Sequence, residues 1–315
     1  MYALEVTGLR KSFGDHVAVD DLSFHVEHGE IFGLIGPNGA GKTTAMLMII
    51  GMLGADAGSI LLEGQSFESR SPEMRRHFGV VPQELAIYPN LTAVQNLRFF
   101  GALNGLQGPR LQERVDYVLD LIGLAKNADH TPSTFSGGMQ RRLNFGIALL
   151  HEPKFVVLDE PTVGIDPQSR SKLLDCVREL GHRGVGVLYA SHYMEEIAAV
   201  CHRVAIIDRG RLLKQGTPED LVGRTQIELW ITVAALSPEL TTQLGALAEV
   251  RPTAEGLVTI IIREESRANQ QQHSSPLLAV LEQLEQAKIP VLAIKSQETS
   301  LETVFLSLTG RTLRD

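Results

Sequence analysis

Glu30-Ile31-Phe32-Gly33-Leu34-Ile35-Gly36-Pro37-Asn38-Gly39-Ala40-Gly41-Lys42-Thr43-Thr44-Ala45-Met46-Leu47-Met48-Ile49-Ile50 is the stretch that decides the fold. An apolar run, a glycine-rich turn and a second apolar run read as strand, loop and helix, the setting in which G-x-x-x-x-G-K-[ST] has a physical meaning. Gly36, Gly39 and Gly41 let the backbone turn tightly, so that successive N–H groups converge on one concavity suited to a phosphate chain. The helix starting near Lys42 adds the positive end of its dipole. Lys42 brings a mobile charge, and the Thr43 hydroxyl is placed to ligate Mg²⁺.

Working outward, the 315 residues exceed what one hydrophobic core serves, so a large domain with a smaller companion is expected. Hydrophobic residues at 43% and charged residues at 21% describe an ordinary globular chain. A net charge of −8 without a Lys/Arg cluster argues against nucleic acid as a partner. The two cysteines, Cys176 and Cys201, have no metal-ligand or disulfide spacing and read as packing residues. Met1–Val6 lacks the layout of a secretion signal, so a cytoplasmic chain is expected. The longest apolar run, Ala45–Leu53, falls well short of the roughly 20 residues a bilayer requires.

Ahead of the phosphate loop, Leu4–Leu9 and Val17–Val26 read as strands joined by a turn at Gly14-Asp15, with Gly58–Gly64 as a further hairpin arm. After it, Phe78–Val81 is a short strand ending at Pro82-Gln83-Glu84. Ala93–Leu103 and Leu111–Ile122 then have helical periodicity, in a helical insert spanning about residues 84–150. Strand-like runs at Phe155–Leu158, Val185–Ala190 and Val204–Ile207, separated by amphipathic helices, point to a parallel sheet with crossover connections.

Phe155-Val156-Val157-Leu158-Asp159-Glu160 is a buried strand with two carboxylates at its C-terminal edge, where ligands collect in open α/β sheets. Asp159 is placed to hold Mg²⁺ and Glu160 to polarise an attacking water. Ser136-Gly137-Gly138-Met139-Gln140 opens a helix with a serine cap and two bare glycines, a second anion-binding helix start. One nucleotide is already served by the phosphate loop, so the second start is expected to close over a nucleotide held by another subunit. His192 follows the strand ending at Ala190 and shares the sheet edge with Asp159; the other histidines, His16, His151 and His202 among them, have no comparable setting.

Taken in order, the phosphate loop, Gln83, Ser136–Gln140, Asp159-Glu160, Asp166 and His192 resemble the nucleotide-binding subunit of an ATP-binding-cassette (ABC) transporter over residues 1 to about 220. The resemblance implies an α/β fold: a P-loop ABC ATPase core with an antiparallel β subdomain and a helical subdomain. It implies ATP and Mg²⁺, ATP being held by Phe13 against adenine and by Gly36, Pro37, Asn38, Gly39, Ala40, Gly41, Lys42, Thr43 and Thr44. Mg²⁺ would be met by Thr43, Gln83 and Asp159, and the catalytic residues would be Glu160, His192 and Gln83. Ser136, Gly137, Gly138, Met139 and Gln140 match the signature loop that acts across a dimer, with Phe135 and Met139 as departures from the usual letters. Asp166 matches the interface loop, and Phe13 stands where tyrosine is more common.

The implied partners are a second copy or a homologous subunit, and a separate transmembrane permease docked beside Gln83 and Ala86–Phe100, where Tyr88, Leu91, Leu97, Phe99 and Phe100 offer an apolar surface. The chain would then sit on the cytoplasmic face of the membrane.

From residue 224 to 315 the pattern suggests a small α+β domain: strands at Ile227–Ile231, Val258–Ile262 and Val291–Ile294, helices at Pro238–Leu247 and Leu277–Ala287, and a polar loop at Glu264–Ser275. The closing segment Glu298–Arg311 reads as a helix and looks like the tail of ABC-2 type exporter subunits of the daunorubicin-resistance kind. An importer subunit and a soluble ABC-type ATPase are the alternatives.

Overall fold

The computed structural model describes residues 1–66, 72–222, 226–253, 257–265, 276–298 and 300–310. Two compact units emerge: Met1–Pro218 together with the residues from Phe305 on, and Glu219–Val304. The expected division fell at 223/224 with the whole tail in the second unit; the contacts instead divide the terminal helix, assigning its second half to the first unit.

In the first unit, β1 (Leu4–Phe13) and β2 (His16–Val26) form the hairpin around Gly14, and β4 (Ala57–Leu62) and β5 (Gln65–Ser66) complete an antiparallel sheet of order β2-β1-β4-β5. A six-stranded sheet holds β3 (Ile31–Ile35), β6 (Phe78–Val81), β7 (Phe155–Asp159), β8 (Gly186–Ala190), β9 (Arg203–Asp208) and β10 (Arg211–Gly216) in the order β10-β9-β3-β8-β7-β6. All pairs are parallel except β9 with β10. Every residue of β3 is buried, as a central parallel strand covered on both faces must be.

Helix α1 (Lys42–Ile49) is apolar nearly all round because it is wrapped by protein: one core cluster joins its Ala45, Met46, Met48 and Ile49 to residues of both sheets. After the short α2 (Pro72–Arg75), the helical insert comprises α3 (Ala93–Leu103), α4 (Gly108–Leu121) and α5 (Gly137–Ile147). Helix α3 starts at a capping box in which the Thr92 hydroxyl accepts from Gln95 N–H and the Gln95 side chain accepts from Thr92 N–H. The buried Asn96 donates to Tyr88 O, Leu91 O and Thr92 O and accepts from Tyr88 N, fixing the preceding loop. The crossover helices are α6 (Pro167–His182) and α7 (Met194–Val200), followed by α8 (Pro218–Val222).

The second unit is an antiparallel sheet of β11 (Gln226–Val233), β12 (Glu249–Pro252), β13 (Val258–Glu265) and β14 (Val291–Glu298), order β12-β13-β11-β14. With α9 (Pro238–Gly245) and α10 (Pro276–Gln286) it closes a core around Ile231, Val233, Leu244, Ile260, Ile262, Val280 and Leu284. The expected loop at Glu264–Ser275 lies outside the described residues from 266 on, while Glu264 and Glu265 extend β13. The terminal helix α11 runs Leu301–Thr309, shorter than expected because Glu298 is taken up by β14 opposite Ile227.

Candidate functional site

The turn from β3 into α1 is shaped by backbone demands that only glycine meets. Gly41, the residue before α1, has φ +100°, and a Cβ there would fall 2.3 Å from Ala18 O. Lys42 folds its side chain back so that Nζ donates to Gly36 O at 2.6 Å and Pro37 O at 3.1 Å, which holds the ammonium at the loop. Burial lowers the Lys42 pKa, against the opposing influence of Glu160 and then Asp159.

A cavity of about 520 Å³ opens on this turn, lined by the loop residues Asn38–Thr44 together with Phe13, His16, Ala18, Gln83, Asp159, Glu160 and His192. Gly36 and Pro37 do not line it; their carbonyls serve Lys42 instead. Phe13, the last residue of β1, keeps about half its surface exposed at 52%, with Lys11 Nζ 5.7 Å from its ring centre. Among the histidines, His16 joins the cavity although its setting in the sequence appears unremarkable, because the hairpin turn brings it opposite Phe13. His151 and His202 are structural: His151 Nε2 bonds Phe78 O at 3.0 Å, and His202 Nδ1 accepts from Ile31 N at 3.0 Å.

The carboxylates sit where β7 ends, between β6 and β8. Glu160 adopts φ +47°, and its N–H donates to Ala190 O at 2.9 Å. This bent backbone directs the side chain between two partners: Gln83 Nε2 donates to Oε2 at 3.0 Å, and His192 Nδ1 lies 3.1 Å from Oε1. Gln83, Glu160 and His192, drawn from three sequence-distant loops, thus stand in one row, joined by the Gln83–Glu160 hydrogen bond and the close approach of His192 Nδ1 to the Glu160 carboxylate. Asp159 beside them is raised above the usual carboxylate pKa, by burial first and the neighbouring Glu160 second, with Lys42 opposing. Among the described residues no cluster of three or more His, Cys, Asp or Glu could hold a metal; the oxygen-bearing side chains that line the cavity include Thr43, Asp159 and Gln83. Its amide nitrogen is spent on Glu160, which leaves the oxygen as the acceptor. One carboxylate with neutral oxygens suits Mg²⁺ carried in on a phosphate chain.

Ser136 to Gln140 lie elsewhere, none of them lining this cavity. Ser136 caps α5, its Oγ accepting from Met139 N at 3.3 Å, while Gln140 Nε2 donates to Pro132 O at 2.8 Å. Gly138 is obligatory: a Cβ would come 2.1 Å from Ser169 Oγ, because the start of α5 packs directly on the start of α6. That second start is capped by Asp166, whose Oδ1 accepts from Ser169 N at 2.9 Å. Two helix N-termini therefore lie side by side, outside the cavity.

Sequence reading missed the residues joining these parts. The Arg141 guanidinium donates to Gln83 O, and Asn144 Oδ1 accepts from Ala86 N at 3.0 Å, so α5 clamps the Gln83 loop from its own first turns. Burial lowers the Arg141 pKa, with Glu160 opposing. Leu97, expected at the docking surface, is wholly buried; Tyr88 and Phe99 are exposed and pack as edge-to-face rings 5.0 Å apart, with Phe100 against both.

The profile of the family described as "ABC transporter" matches residues 19–163. Along nearly the whole chain, 40% of residues are identical to the linearmycin resistance ATP-binding protein LnrL of Bacillus subtilis (strain 168), over 99% of this chain and 100% of that one. The chain belongs to the ABC transporter family. The Nod factor export ATP-binding protein I of Ralstonia nicotianae is 38% identical over 99% of this ABC protein and 95% of its own length. A solved ATP-binding subunit of an ABC transporter superposes with TM-score 0.63 at 31% identity, covering 70% of this chain and 91% of that one. The cbiO1 protein of Clostridium perfringens, part of the cbiONQ transporter complex, gives TM-score 0.65 at 27% identity, over 70% and 90% of the two chains. This ABC subunit binds ATP and hydrolyses it.

Proposed function

We propose that this ABC subunit is the motor of an exporter: two copies close head to tail over ATP and drive a separate transmembrane permease. The observation that carries this reading is the separation of the phosphate-loop cavity from the capped start of α5. One chain places Lys42, Gln83, Asp159, Glu160 and His192 around one cavity, while the capped α5 start at Ser136–Gly138 lies outside it. A second copy supplies the missing half of each centre, as a two-fold arrangement requires.

In that arrangement the loop amides and Lys42 hold the triphosphate of one chain, and Phe13 offers its face to adenine. Thr43, Asp159 and the Gln83 oxygen would hold Mg²⁺, which supplies charge neutralisation on the phosphates. Glu160, oriented by Gln83 and His192, accepts hydrogen from the attacking water. With Nδ1 turned to Glu160, His192 has Nε2 left for a phosphate oxygen. Hydrolysis removes the attraction between triphosphate and the partner's α5 start, and the copies separate.

Export follows from the relatives, whose names specify linearmycin resistance and Nod factor export. Among the described residues no helix is long and apolar enough to cross a membrane, so a permease would provide the path. The ring cluster of the exposed Tyr88 and Phe99 with the half-buried Phe100, fixed by Asn96 and adjoining the clamped Gln83 loop, is the surface it would meet on the cytoplasmic side.

The test is Ser136→Arg. Turnover should fall to the level of Lys42→Ala, while ATP binding to the single chain, read by equilibrium dialysis, stays at the wild-type value. Full turnover in Ser136→Arg would overturn the two-copy site.

A further inference from the structure

Behind the row of Gln83, Glu160 and His192 lies a carboxylate that the mechanism above does not use. Glu196, on α7, is buried to 2% exposure. Its oxygens accept from the Thr162 hydroxyl at 2.8 and 2.7 Å, the Tyr189 hydroxyl at 2.7 Å and the Ser191 hydroxyl at 3.2 Å, and Arg170 Nε lies 3.2 Å away. A charge so deeply buried is costly unless fully paired, and apolar packing of the same volume would serve stability as well or better.

What sets this cluster apart is where its donors stand in the chain. Thr162 is two residues beyond Glu160, on the same turn. Ser191 immediately precedes His192 and also accepts from Tyr193 N at 3.0 Å, so both neighbours of His192 are tied to it. Tyr189 is next to Ala190, whose carbonyl receives Glu160 N–H. Arg170 donates its backbone N–H to Asp166 O at 2.9 Å, and its guanidinium lies over the Tyr193 ring at 4.6 Å. The Tyr193 ring in turn lies against the His192 ring, 4.2 Å between centres. One carboxylate thereby grips the Glu160 turn, the His192 turn and the first turns of the helix capped by Asp166.

We propose that Glu196, paired with Arg170, is a positioning residue that sets the Glu160–His192 geometry and couples it to the Asp166 turn at the copy-to-copy face. This rests on the reading of Glu160 and His192 given above. Glu196→Gln keeps the shape but removes the charge facing Arg170 and can supply only one acceptor oxygen to the hydroxyls. Loss of alignment at the reacting centre from a site behind it costs about 10- to 100-fold in rate.

The experiment compares Glu196→Gln, Arg170→Ala, His192→Ala and the double variant Glu196→Gln/His192→Ala, by steady-state hydrolysis over a range of ATP concentrations and by ATP binding. Glu196→Gln should lower kcat about 10- to 100-fold, with KM and ATP affinity within about twofold of wild type. Arg170→Ala should do the same, which keeps the idea testable if one variant folds poorly. In the His192→Ala background the effect of Glu196→Gln should shrink, since the share that acts through His192 is already gone and only the hold on the Glu160 and Asp166 turns is left to lose. An equal loss in both backgrounds would make Glu196 a general stabilising group and overturn the proposal. Wild-type turnover in Glu196→Gln with impaired His192→Ala would overturn it alone, whereas wild-type turnover in His192→Ala would remove the reading of the site beneath it.

Discussion

Replacing Glu160 with glutamine tests the chemistry while leaving the volume of the site unchanged. The carboxylate accepts from Gln83 Nε2 at 3.0 Å and lies 3.1 Å from His192 Nδ1, with its side chain 15% exposed. Glutamine offers one oxygen and one NH₂ group, so it keeps the Gln83 bond only by turning its N–H groups towards His192 Nδ1. The cost to the fold is a single mismatched contact, about 1–3 kcal/mol at most, because no cavity opens. The cost to turnover is the loss of the base, about 10²- to 10⁴-fold, or about 3–5 kcal/mol in the barrier. ATP affinity should hold within about threefold, since the phosphate loop is untouched and a negative charge beside the triphosphate has been removed. Phosphate release measured by a coupled assay, alongside binding of a fluorescent nucleotide, separates the two effects. A kcat loss below about fivefold, or an affinity loss as large as the rate loss, would refute Glu160 as the base.

Four further outcomes are expected. Gly138→Ala forces a Cβ to 2.1 Å from Ser169 Oγ, so it should lower stability by about 1–3 kcal/mol in a thermal melt, whereas Gly137→Ala, with its nearest neighbour Gly164 O at 3.7 Å, should melt like wild type. Asp159→Asn should raise the Tm of the nucleotide-free protein and abolish Mg²⁺-dependent turnover. The raised pKa of Asp159 means that ionisation destabilises the fold as pH rises through and above the carboxylate range, and asparagine removes that burden. Phe13→Ala should weaken ATP binding about tenfold without lowering Tm, because its ring is half exposed and available for stacking; an unchanged affinity would return Phe13 to the hairpin. Neither cysteine should react with iodoacetamide at pH 8 in the native protein, since burial pushes the Cys176 thiol up to about 11 and Cys201 higher still.

How much was legible in the sequence depended on whether the constraint was local. The phosphate loop, the Asp159-Glu160 strand end and the helix capped by Ser136 each bring strand periodicity, glycine demands or cap chemistry within a few consecutive residues. Strand β10 escaped notice because its Arg211–Gly216 run is mostly exposed and lacks a clean alternation. Leu97 was misplaced because helical spacing alone cannot say which face of α3 meets the core; the buried face carries Ala93, Asn96, Leu97 and Gly101. His16 and Glu196 acquire their settings only through pairing across a hairpin and from α7 to β8, contacts with no signature along the chain. Arg141 and Asn144 stood inside a helix already recognised, but their hold on the Gln83 loop spans more than fifty residues, with separations of 58 for both.

The central claim is that each reaction centre needs two copies of the chain, joined by ATP. Light scattering on Glu160→Gln with ATP and Mg²⁺ measures this directly. The account requires a particle of about twice the 34.5 kDa chain mass with ATP. It also requires return to the single-chain mass with ADP, and no pairing when Ser136→Arg is added. A single-chain mass with saturating ATP, while the wild-type protein hydrolyses ATP at a rate independent of its own concentration, would contradict it.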